Sequence, residues 1–192
     1  MIIPADKIGF DLDGVIADTA TAFLNIACEK YNYCSFTPEN ITNFELEDCI
    51  PIPQNLVEQI FTEILIDSLE AGLKPIKGAV KALTSLATGS AITVITARTL
   101  KSPVLDWIDA FFPPETRDAI RVITTGDHSD KVRYIHEHGL KYFVDDRAKT
   151  CMQLAEADTV PLVFNQPWNR NRHNLRTVDN WNDLQQMIIT SP

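Results

Sequence analysis

Five short apolar runs, separated by stretches of helical periodicity, constrain the fold of this chain more than any other feature. Each run is rich in β-branched or aromatic residues and is short enough to be a buried strand. The runs occupy residues 7–10, 91–95, 121–123, 142–144 and 160–164. The amphipathic stretches occupy residues 79–86, 103–111, 130–138, 148–155 and 178–189. Strands that alternate with helices predict an α/β fold, a doubly wound, Rossmann-like parallel sheet with helices on both faces.

The gap between the first two runs is too long for a single crossover helix. It leaves 61 residues, 17–77, without a clear strand signal. Apolar side chains recur there at helical spacing and prolines interrupt the pattern: Phe23, Ile26 and Ala27, then Leu56, Ile60 and Ile64, with Pro38, Pro51 and Pro53. We therefore predict a helical module at residues 17–77, inserted into a core formed by residues 1–16 and 78–192.

Composition and charge limit the class of protein and of partner. The 192 residues are 45% hydrophobic and 22% charged, which is typical of a folded globular protein. The net charge of −9 disfavours duplex nucleic acid and anionic membranes as partners, since both are polyanions. No stretch is long and apolar enough to span a bilayer, and the N-terminus lacks the pattern of a signal peptide. We expect a soluble protein; its oligomeric state is left open, and a homodimer is compatible with the sequence.

The cysteines indicate the expected compartment. Cys28, Cys34, Cys49 and Cys151 form no CxxC pair and no zinc-type pairing with histidine. We expect them to be reduced, mostly buried small side chains. Because disulfides are rare in the cytosol, this pattern favours a cytoplasmic protein.

A residue able to do chemistry follows each apolar run on its C-terminal side. Asp11 and Asp13 follow the first run, Thr96 the second, and Asp145 with Asp146 the fourth. In a parallel sheet these ends share one edge, where ligands bind. Turn formation or helix capping would explain any one of these residues alone. Four carboxylates at one edge repel each other unless a cation neutralises them, and oxygen ligands suit Mg²⁺. The set predicts a Mg²⁺ and phosphate site.

Four motifs in this chain resemble those of the haloacid-dehalogenase-like superfamily of phosphohydrolases. The first, Asp-x-Asp-Gly-[Thr/Val] after a strand, matches residues 11–15, and the second, a Thr or Ser ending the next strand, matches Thr96. The third is a lysine that matches Lys131, whereas Lys141 precedes its strand and would lie at the wrong edge. The fourth is the acidic pair 145–146. All four occur in the order and with the spacing of the superfamily.

The resemblance implies a Mg²⁺-dependent phosphomonoesterase that forms an aspartyl-phosphate. Asp11 would be the nucleophile, and Asp13 would protonate the leaving oxygen and then activate water. An acid at Asp13 favours phosphoryl transfer, because the dehalogenases of the superfamily lack one there.

The resemblance also implies which residues bind the metal and the phosphate. Mg²⁺ would be held by the Asp11 side chain, the Asp13 backbone carbonyl, and an acid of the fourth motif, Asp145 or Asp146. Thr96, the Ala97 amide and Lys131 would bind the phosphate oxygens.

A narrower resemblance is to the 5'(3')-deoxyribonucleotidases. It rests on the sequences FDLDGVIAD, YFVDDR, VFNQPWNR and VDNWNDL. It implies that residues 17–77 form a C1-type cap, which closes over the site and selects a nucleoside monophosphate. Two positions depart from that family. Thr19 replaces an aromatic residue eight positions after the nucleophile, and the second motif continues Thr96-Ala97-Arg98 rather than Thr-Ser-Pro.

Several residues outside the motifs are candidates for substrate contacts. Phe44 is our first choice among the aromatic residues of the insertion, which could stack on a base. Arg98 and Arg170 could bind the substrate, and Arg170 belongs to a basic segment, residues 169–176. His128 follows the third run at the same edge. The alternatives are core packing for the aromatic residue and solvated loops for the others.

Two other functions compete with a nucleotidase. The first is a phosphatase for another small ester, either a sugar phosphate or a polynucleotide 3'-phosphate end. The second is a non-catalytic module that binds nucleotide or phosphate. Such a module would not need an acid at Asp13, so the intact motif set favours an enzyme.

Overall fold

Six parallel strands form the central sheet in the computed structural model, which describes residues 1–189. Residues 1–189 contain eight strands, which in chain order are β1 (Ile3–Pro4), β2 (Ile8–Phe10), β3 (Ile92–Thr96), β4 (Ile120–Thr124), β5 (Tyr142–Asp145), β6 (Val160–Phe164), β7 (Thr177–Val178) and β8 (Ile188–Ile189). Of these, β1 and β8 form a separate pair and the other six form the central sheet. The sheet has the order β4-β3-β2-β5-β6-β7, and each neighbouring pair is parallel. Strands β2 to β6 coincide with the five apolar runs. The predicted doubly wound α/β fold is therefore confirmed.

Within residues 1–189, eight α-helices connect and cover these strands. They are α1 (Thr19–Tyr31), α2 (Gln54–Ile66), α3 (Ala79–Ala87), α4 (Ser102–Phe111), α5 (Pro114–Ala119), α6 (Lys131–Glu137), α7 (Ala148–Glu156) and α8 (Trp181–Met187). Among residues 1–189, no helix combines the length and the apolar character that crossing a bilayer requires.

Both faces of the sheet are buried, which explains why the strand sequences are continuously apolar. Successive side chains of a strand point to opposite faces. Val94 packs in the larger cluster of the core with Leu83 of α3 and Val104 of α4. The next residue, Ile95, packs in a second cluster with Ile135 of α6. The two clusters lie on opposite faces and hold the strand ends in fixed positions.

The two α-helices of residues 17–77 lie where the spacing of apolar residues predicts helix. This segment contains α1, α2 and two short 3₁₀ helices, Pro38–Asn40 and Leu46–Asp48, and no β-strand. α1 begins after Asp18, whose side chain accepts a hydrogen bond from the Thr21 amide. The two α-helices pack together through Phe23 and Phe61, whose ring centroids are 5.1 Å apart. The division of the chain into a core and a separate cap stays a prediction.

The prediction of one helix over residues 178–189 is wrong at both ends. Thr177 and Val178 form the edge strand β7, and β8 pairs in parallel with β1 at the other end of the chain. The helix begins only after Asn180, whose side chain accepts hydrogen bonds from the amides of Asn182 and Asp183. Two-residue strands carry no readable period, so the sequence pattern merges them with the helix. Residues 190–192 of the predicted core lie outside the described residues.

The expectation of four reduced cysteines is wrong for one pair. Cys28 and Cys34 form a disulfide, whereas Cys49 and Cys151 are free. Asn32 takes a left-handed conformation directly after α1, with φ of 63°. This turn brings Cys34 back to the last turns of the helix, 4.3 Å from Cys28 between Cα atoms. The cysteines therefore no longer support a cytoplasmic location.

Replacing Trp181 with phenylalanine is expected to destabilise the fold by about 2 kcal/mol. The indole is buried against Phe10 and Phe164, and its Nε1–H donates to the Val15 carbonyl at 2.8 Å. The variant leaves that buried carbonyl unpaired and opens a small cavity. Urea unfolding measures the loss, and Gln186→Ala on the exposed side of the same helix is the control. A loss no larger than that of the control would contradict the prediction.

Candidate active site

Three neighbouring strands bring the predicted catalytic residues together. Asp11 directly follows β2, Thr96 ends β3 and Asp145 ends β5, and β2 lies between the other two strands. The Asp11 amide donates to the Val144 carbonyl at 2.8 Å, which continues the pairing of β2 with β5. All three side chains are buried. The shared edge that the sequence predicts is therefore where these residues lie.

Lys131 connects two of these strands through its ammonium group. Its Nζ lies 2.5 Å from Asp11 Oδ2 and 2.7 Å from Asp145 Oδ2, and the side chain has no exposed surface. Burial lowers the pKa of Lys131, but the two carboxylates outweigh it and raise the pKa above its ordinary value. The lysine is thus charged at neutral pH. Lys141, the rival candidate, is exposed and precedes β5 at the opposite edge.

The carboxyl of Asp11 lies in an unfavourable place for a negative charge. Its Oδ1 accepts a hydrogen bond from the Leu12 amide at 2.7 Å. Burial is the largest cause that raises the pKa of Asp11, Lys131 lowers it and Asp145 raises it, and the net result is a pKa of about 7. Burial, together with Asp145 and Asp11, also raises the pKa of Asp146 well above its ordinary value. Both shifts have the same physical cause, which is an uncompensated negative charge in a buried site.

The donor set at this edge fits a divalent cation. Oxygen atoms of Asp11, Asp145 and Asp146 lie within 4.8 Å of one another. When all are ionised, the four carboxylates of the motifs outnumber the two cations that contact them, Lys131 and Arg98, by two charges. Carboxylate oxygens are the ligands that hard divalent ions prefer. One such ion would balance the excess charge.

Two side chains after β6 orient Asp146 and were not singled out from the sequence. The Trp168 indole donates to Asp146 Oδ2 at 2.9 Å. The side-chain amide of Asn169 donates through Nδ2 to the backbone carbonyl of Asp146 at 2.7 Å and to that of Phe164 at 2.8 Å. Both residues belong to the sequence VFNQPWNR. Their position after the fifth apolar run, at the edge that carries Asp145, is the signal that could have found them.

Gly14 is required by its closeness to the same carboxylate. It has φ of 70°, a conformation that L side chains rarely adopt, and a methyl group at this position would overlap the Asp146 carboxylate. The side-chain amide of Gln166 donates through Nε2 to the backbone carbonyl of Gly14 at 2.7 Å. The first motif therefore needs glycine after Asp13 so that the loop can approach the fourth motif.

The carboxylate of Asp13 lies outside the cluster of the other three acids and binds Arg98. Arg98 Nε donates to Oδ2 at 2.8 Å, and Nη2 donates to Oδ1 at 2.7 Å. The Thr19 hydroxyl donates to Oδ1 at 2.5 Å. Burial raises the pKa of Asp13, but the charge and hydrogen bonds of Arg98 outweigh it and, with Thr19, lower the pKa below its ordinary value. The guanidinium of Arg98, a predicted substrate contact, thus lies on Asp13, and its contact with substrate stays a prediction.

Thr96 and Ala97 are positioned by the loop after β4. The Thr96 carbonyl accepts a hydrogen bond from the Thr125 amide at 2.9 Å, and its hydroxyl accepts one from the Arg98 amide at 3.3 Å. Ala97 lies between them and is half-buried. The phosphate-binding roles of Thr96, Ala97 and Lys131 stay predictions.

A cavity of about 460 Å³ lies between this sheet edge and residues 17–77. Asp11, Asp13 and Asp146 line it together with Trp168. The insertion supplies most of the remaining lining, which is largely apolar with a few polar groups: Thr19, Ala20, Phe23, Ile41, Phe44, Glu45, Leu46, Glu47, Gln54, Val57, Glu58 and Phe61. The site therefore combines a polar, acidic floor with a wall of aromatic and aliphatic side chains that also carries three glutamates.

The other predicted substrate residues lie at different distances from this cavity. Phe44 lines it, with the Arg147 guanidinium 4.5 Å from the ring centroid and the His128 ring at its edge, 5.7 Å between centroids. His128 also lines the cavity, and burial, with Lys131 and Arg147, lowers its pKa to about 4. Arg170 binds Glu39 at 2.6 and 3.3 Å, in an exposed ion pair outside the lining.

A family model described as "5' nucleotidase, deoxy (Pyrimidine), cytosolic type C protein" matches residues 5–191. The chain belongs to this family. The predicted relationship to the deoxyribonucleotidases and the predicted class, a phosphoric monoester hydrolase, are thereby confirmed. No curated protein matched the sequence.

Solved structures of haloacid-dehalogenase-like hydrolases share the fold of this nucleotidase family member. One from Streptococcus pneumoniae has a TM-score of 0.63 at 12% identity, and the match covers 96% of this chain and 97% of that one. A predicted phosphatase from Clostridium acetobutylicum has a TM-score of 0.60 at 15% identity and 97% coverage of both chains. A HAD-superfamily hydrolase of subfamily IA from Geobacter sulfurreducens has a TM-score of 0.56 at 17% identity, and the match covers 97% of this chain and 96% of that one. At these identities the likeness concerns the fold.

Without metal, the nucleotidase is expected to lose stability as the pH rises towards neutral. The pKa of Asp11 is raised from 3.8 to about 7, so the folded protein binds this proton more tightly than the unfolded chain. The resulting stability is complete below the lower value and is lost as the pH rises through the upper one. Urea midpoints measured in chelator between about pH 5 and pH 8 should fall for the wild type and fall less steeply for Asp11→Asn.

The exposed Asp6 provides the control for this titration. Asp6→Asn should keep the slope of the wild type, because the side chain does not belong to the carboxylate cluster. Equal slopes for the wild type and Asp11→Asn would contradict the prediction.

Proposed function

We propose that the chain is a Mg²⁺-dependent nucleoside monophosphatase that acts through an aspartyl-phosphate on Asp11. One observation carries the proposal: Asp11 and Asp13 line the same cavity but each pairs with a different cationic side chain. Asp11 contacts Lys131 within the carboxylate cluster, whereas Asp13 contacts Arg98 outside it. Without metal or substrate the pKa of Asp11 is raised and that of Asp13 is lowered. In the proposed reaction a bound cation would therefore favour the ionised form of Asp11, and the negative charge of the bound phosphate would favour the protonated form of Asp13.

The proposed reaction has two displacement steps at phosphorus. In the first, a carboxylate oxygen of Asp11 forms a bond to phosphorus while the ester P–O bond breaks, and the Asp13 carboxyl gives its proton to the leaving oxygen. In the second, Asp13 takes a proton from water as the water oxygen bonds to phosphorus. The bond to Asp11 then breaks, which releases inorganic phosphate and restores both side chains.

The residues that would hold Mg²⁺ are Asp11, the Asp13 backbone carbonyl, and Asp145 or Asp146. When bound, Mg²⁺ would supply positive charge to offset the carboxylates and the phosphate oxygens. Lys131 already supplies one charge at Asp11 Oδ2, and with Thr96 and the Ala97 amide it would stabilise the oxygens of the transferred group. Asn169 and Trp168 keep Asp146 in place.

The cavity supports a substrate with a planar, apolar part. Phe44 and Phe61 line it beside aliphatic side chains, and its volume of about 460 Å³ falls in the range of small-molecule sites. Aromatic walls favour stacking on a nucleobase, and the family description names a pyrimidine deoxynucleotide class. We infer that residues 17–77 act as a cap that encloses the base. The same description favours a cytosolic location.

Phosphate release from a panel of esters tests the reaction. Nucleoside 5'- and 3'-monophosphates and sugar phosphates are compared with Mg²⁺ and then with chelator. We expect turnover of deoxynucleotides that chelator abolishes. Asp11→Asn should release no measurable phosphate, because it lacks the nucleophilic oxygen, and Asp13→Asn should lose about 10²- to 10⁴-fold. Asp6→Asn is the matched control.

The outcomes of this panel separate the competing functions. Activity confined to sugar phosphates would keep the mechanism and reject the nucleotide substrate. Binding of nucleotide without release from any ester would reject the enzyme and favour a binding module.

Replacing Phe44 with leucine tests the placement of the base. Loss of stacking, worth about 1–3 kcal/mol per base, should raise KM for a deoxynucleotide by about 5-fold or more. KM for glycerol phosphate, which has no ring, should not change. Phe36→Leu is the matched control, since Phe36 belongs to the same insertion but does not line the cavity. An equal rise in KM for both esters would contradict the base contact.

A further inference from the structure

Arg98 contacts the proposed proton donor through two of its nitrogen atoms. Nε and Nη2 each donate to a different oxygen of Asp13, at 2.8 and 2.7 Å, so the planar guanidinium meets the planar carboxylate side by side. This two-bond geometry fixes the plane of the carboxylate as well as its distance. A lysine at this position would fix only a distance.

The third nitrogen of Arg98 binds the insertion. Nη1 donates to Ser68 Oγ at 2.7 Å, and this hydroxyl donates in turn to the Ile64 carbonyl of α2 at 2.9 Å. Ser68 has 1% exposure. Asp13 also accepts a hydrogen bond from the hydroxyl of Thr19, which is the first residue of α1. Arg98 thus links Asp13 to the end of α2, while Thr19 links Asp13 to the start of α1.

The Arg98 side chain forms no hydrogen bond to the predicted site residues other than Asp13, and its backbone amide, which donates to Thr96 Oγ1, is kept in an alanine variant. Arg98 has 4% exposure and is absent from the cavity lining, so it is shielded from the space where substrate would bind. Its side-chain bonds lead to Asp13 and Ser68 and not to Asp11. Burying a guanidinium costs free energy unless it is fully paired. The guanidinium bonds Asp13 directly and acts on Asp11 only through space, so an effect of Arg98 on catalysis would pass chiefly through Asp13.

Arg98 and Thr19 leave one hydrogen-bond acceptor site of the Asp13 carboxylate without a partner among these bonds. A carboxylate offers about four acceptor sites, two on each oxygen. Arg98 occupies one site on each oxygen, and Thr19 occupies the second site on Oδ1. One site on Oδ2 is left. Because the Asp13 side chain is 31% exposed and lines the cavity, substrate or water can approach that site.

We propose that Arg98 is a positioning residue that presents Asp13 Oδ2 to the leaving oxygen and ties its orientation to residues 17–77. The inference rests on the proposed function, in which Asp13 gives a proton to that oxygen. It explains why the second motif continues Thr96-Ala97-Arg98 in this chain.

The dependence on the leaving group tests the proposal. A nucleoside monophosphate has a poor alkoxide leaving group that needs the proton, whereas p-nitrophenyl phosphate has a good one that does not. Arg98→Ala should lower kcat for the deoxynucleotide by about 10²-fold with little change in KM, and lower kcat for the aryl ester by less than about 10-fold. Added guanidinium chloride at non-denaturing concentration should restore part of the loss. Arg98→Lys should stay impaired.

Arg133→Ala is the matched control, because Arg133 forms an ion pair with Glu137 on the exposed surface. It should keep the kcat of the wild type on both esters. Asp13→Asn provides a second comparison. If Arg98 acts only through Asp13, adding Arg98→Ala to Asp13→Asn should cause no further loss, whereas independent effects would multiply.

The outcomes distinguish this proposal from the proposed function. No phosphate release by the wild type, or full activity in Asp13→Asn, would overturn both. Expected behaviour of the wild type and Asp13→Asn, with equal losses on the two esters in Arg98→Ala or multiplied losses in the double variant, would overturn the role of Arg98 alone. If Arg98→Ala does not fold, Arg98→Lys decides, because it keeps the charge and loses the two-bond geometry: it must impair the deoxynucleotide more than the aryl ester, and equal losses reject the proposal.

Discussion

A fully buried ammonium group, that of Lys131, is the constraint on which the site depends. Removing such a charge from water costs several kcal/mol unless oxygen acceptors surround it. Asp11 after β2 and Asp145 at the end of β5 supply them, so the start of α6 and two strand ends must meet at one point. The third carboxylate of the cluster, that of Asp146, adds a negative charge that Lys131 does not balance, so a further cation is needed there. The same bonds that locate Lys131 therefore prepare the site for a divalent ion.

Much of the fold could be predicted because burial on both faces leaves a strong signal. β3 and β6 are continuous apolar strands between helices, and their positions follow from the sequence with an error of at most one residue. The elements that escaped prediction are β1, β7 and β8, whose two residues have no period, and the short α5. The Cys28–Cys34 disulfide escaped because it depends on the left-handed turn at Asn32.

The site shows the same division between local pattern and tertiary contact. Asp11 and Asp145 could be placed at one edge because each follows a strand, and their order fits a recognised set of motifs. The partner of Asp13 could not be predicted, since Arg98 is 85 residues away and a basic residue beside a phosphate site suggests a substrate contact first. Trp168 and Asn169 contact Asp146 only through the path of the loop after β6.

The packing of α8 on the first loop has a consequence for synthesis. Trp181 donates to the Val15 carbonyl across 166 residues, and β8 pairs with β1. A ribosome that has made all four motifs has therefore not yet made the side chain that completes the loop carrying Asp11 and Asp13. Contacts of such long sequence separation cost loop-closure entropy and slow folding. The loop after β2 is consequently complete only once Trp181 packs on it, so removal of α8 would disturb the candidate site as directly as a substitution within it.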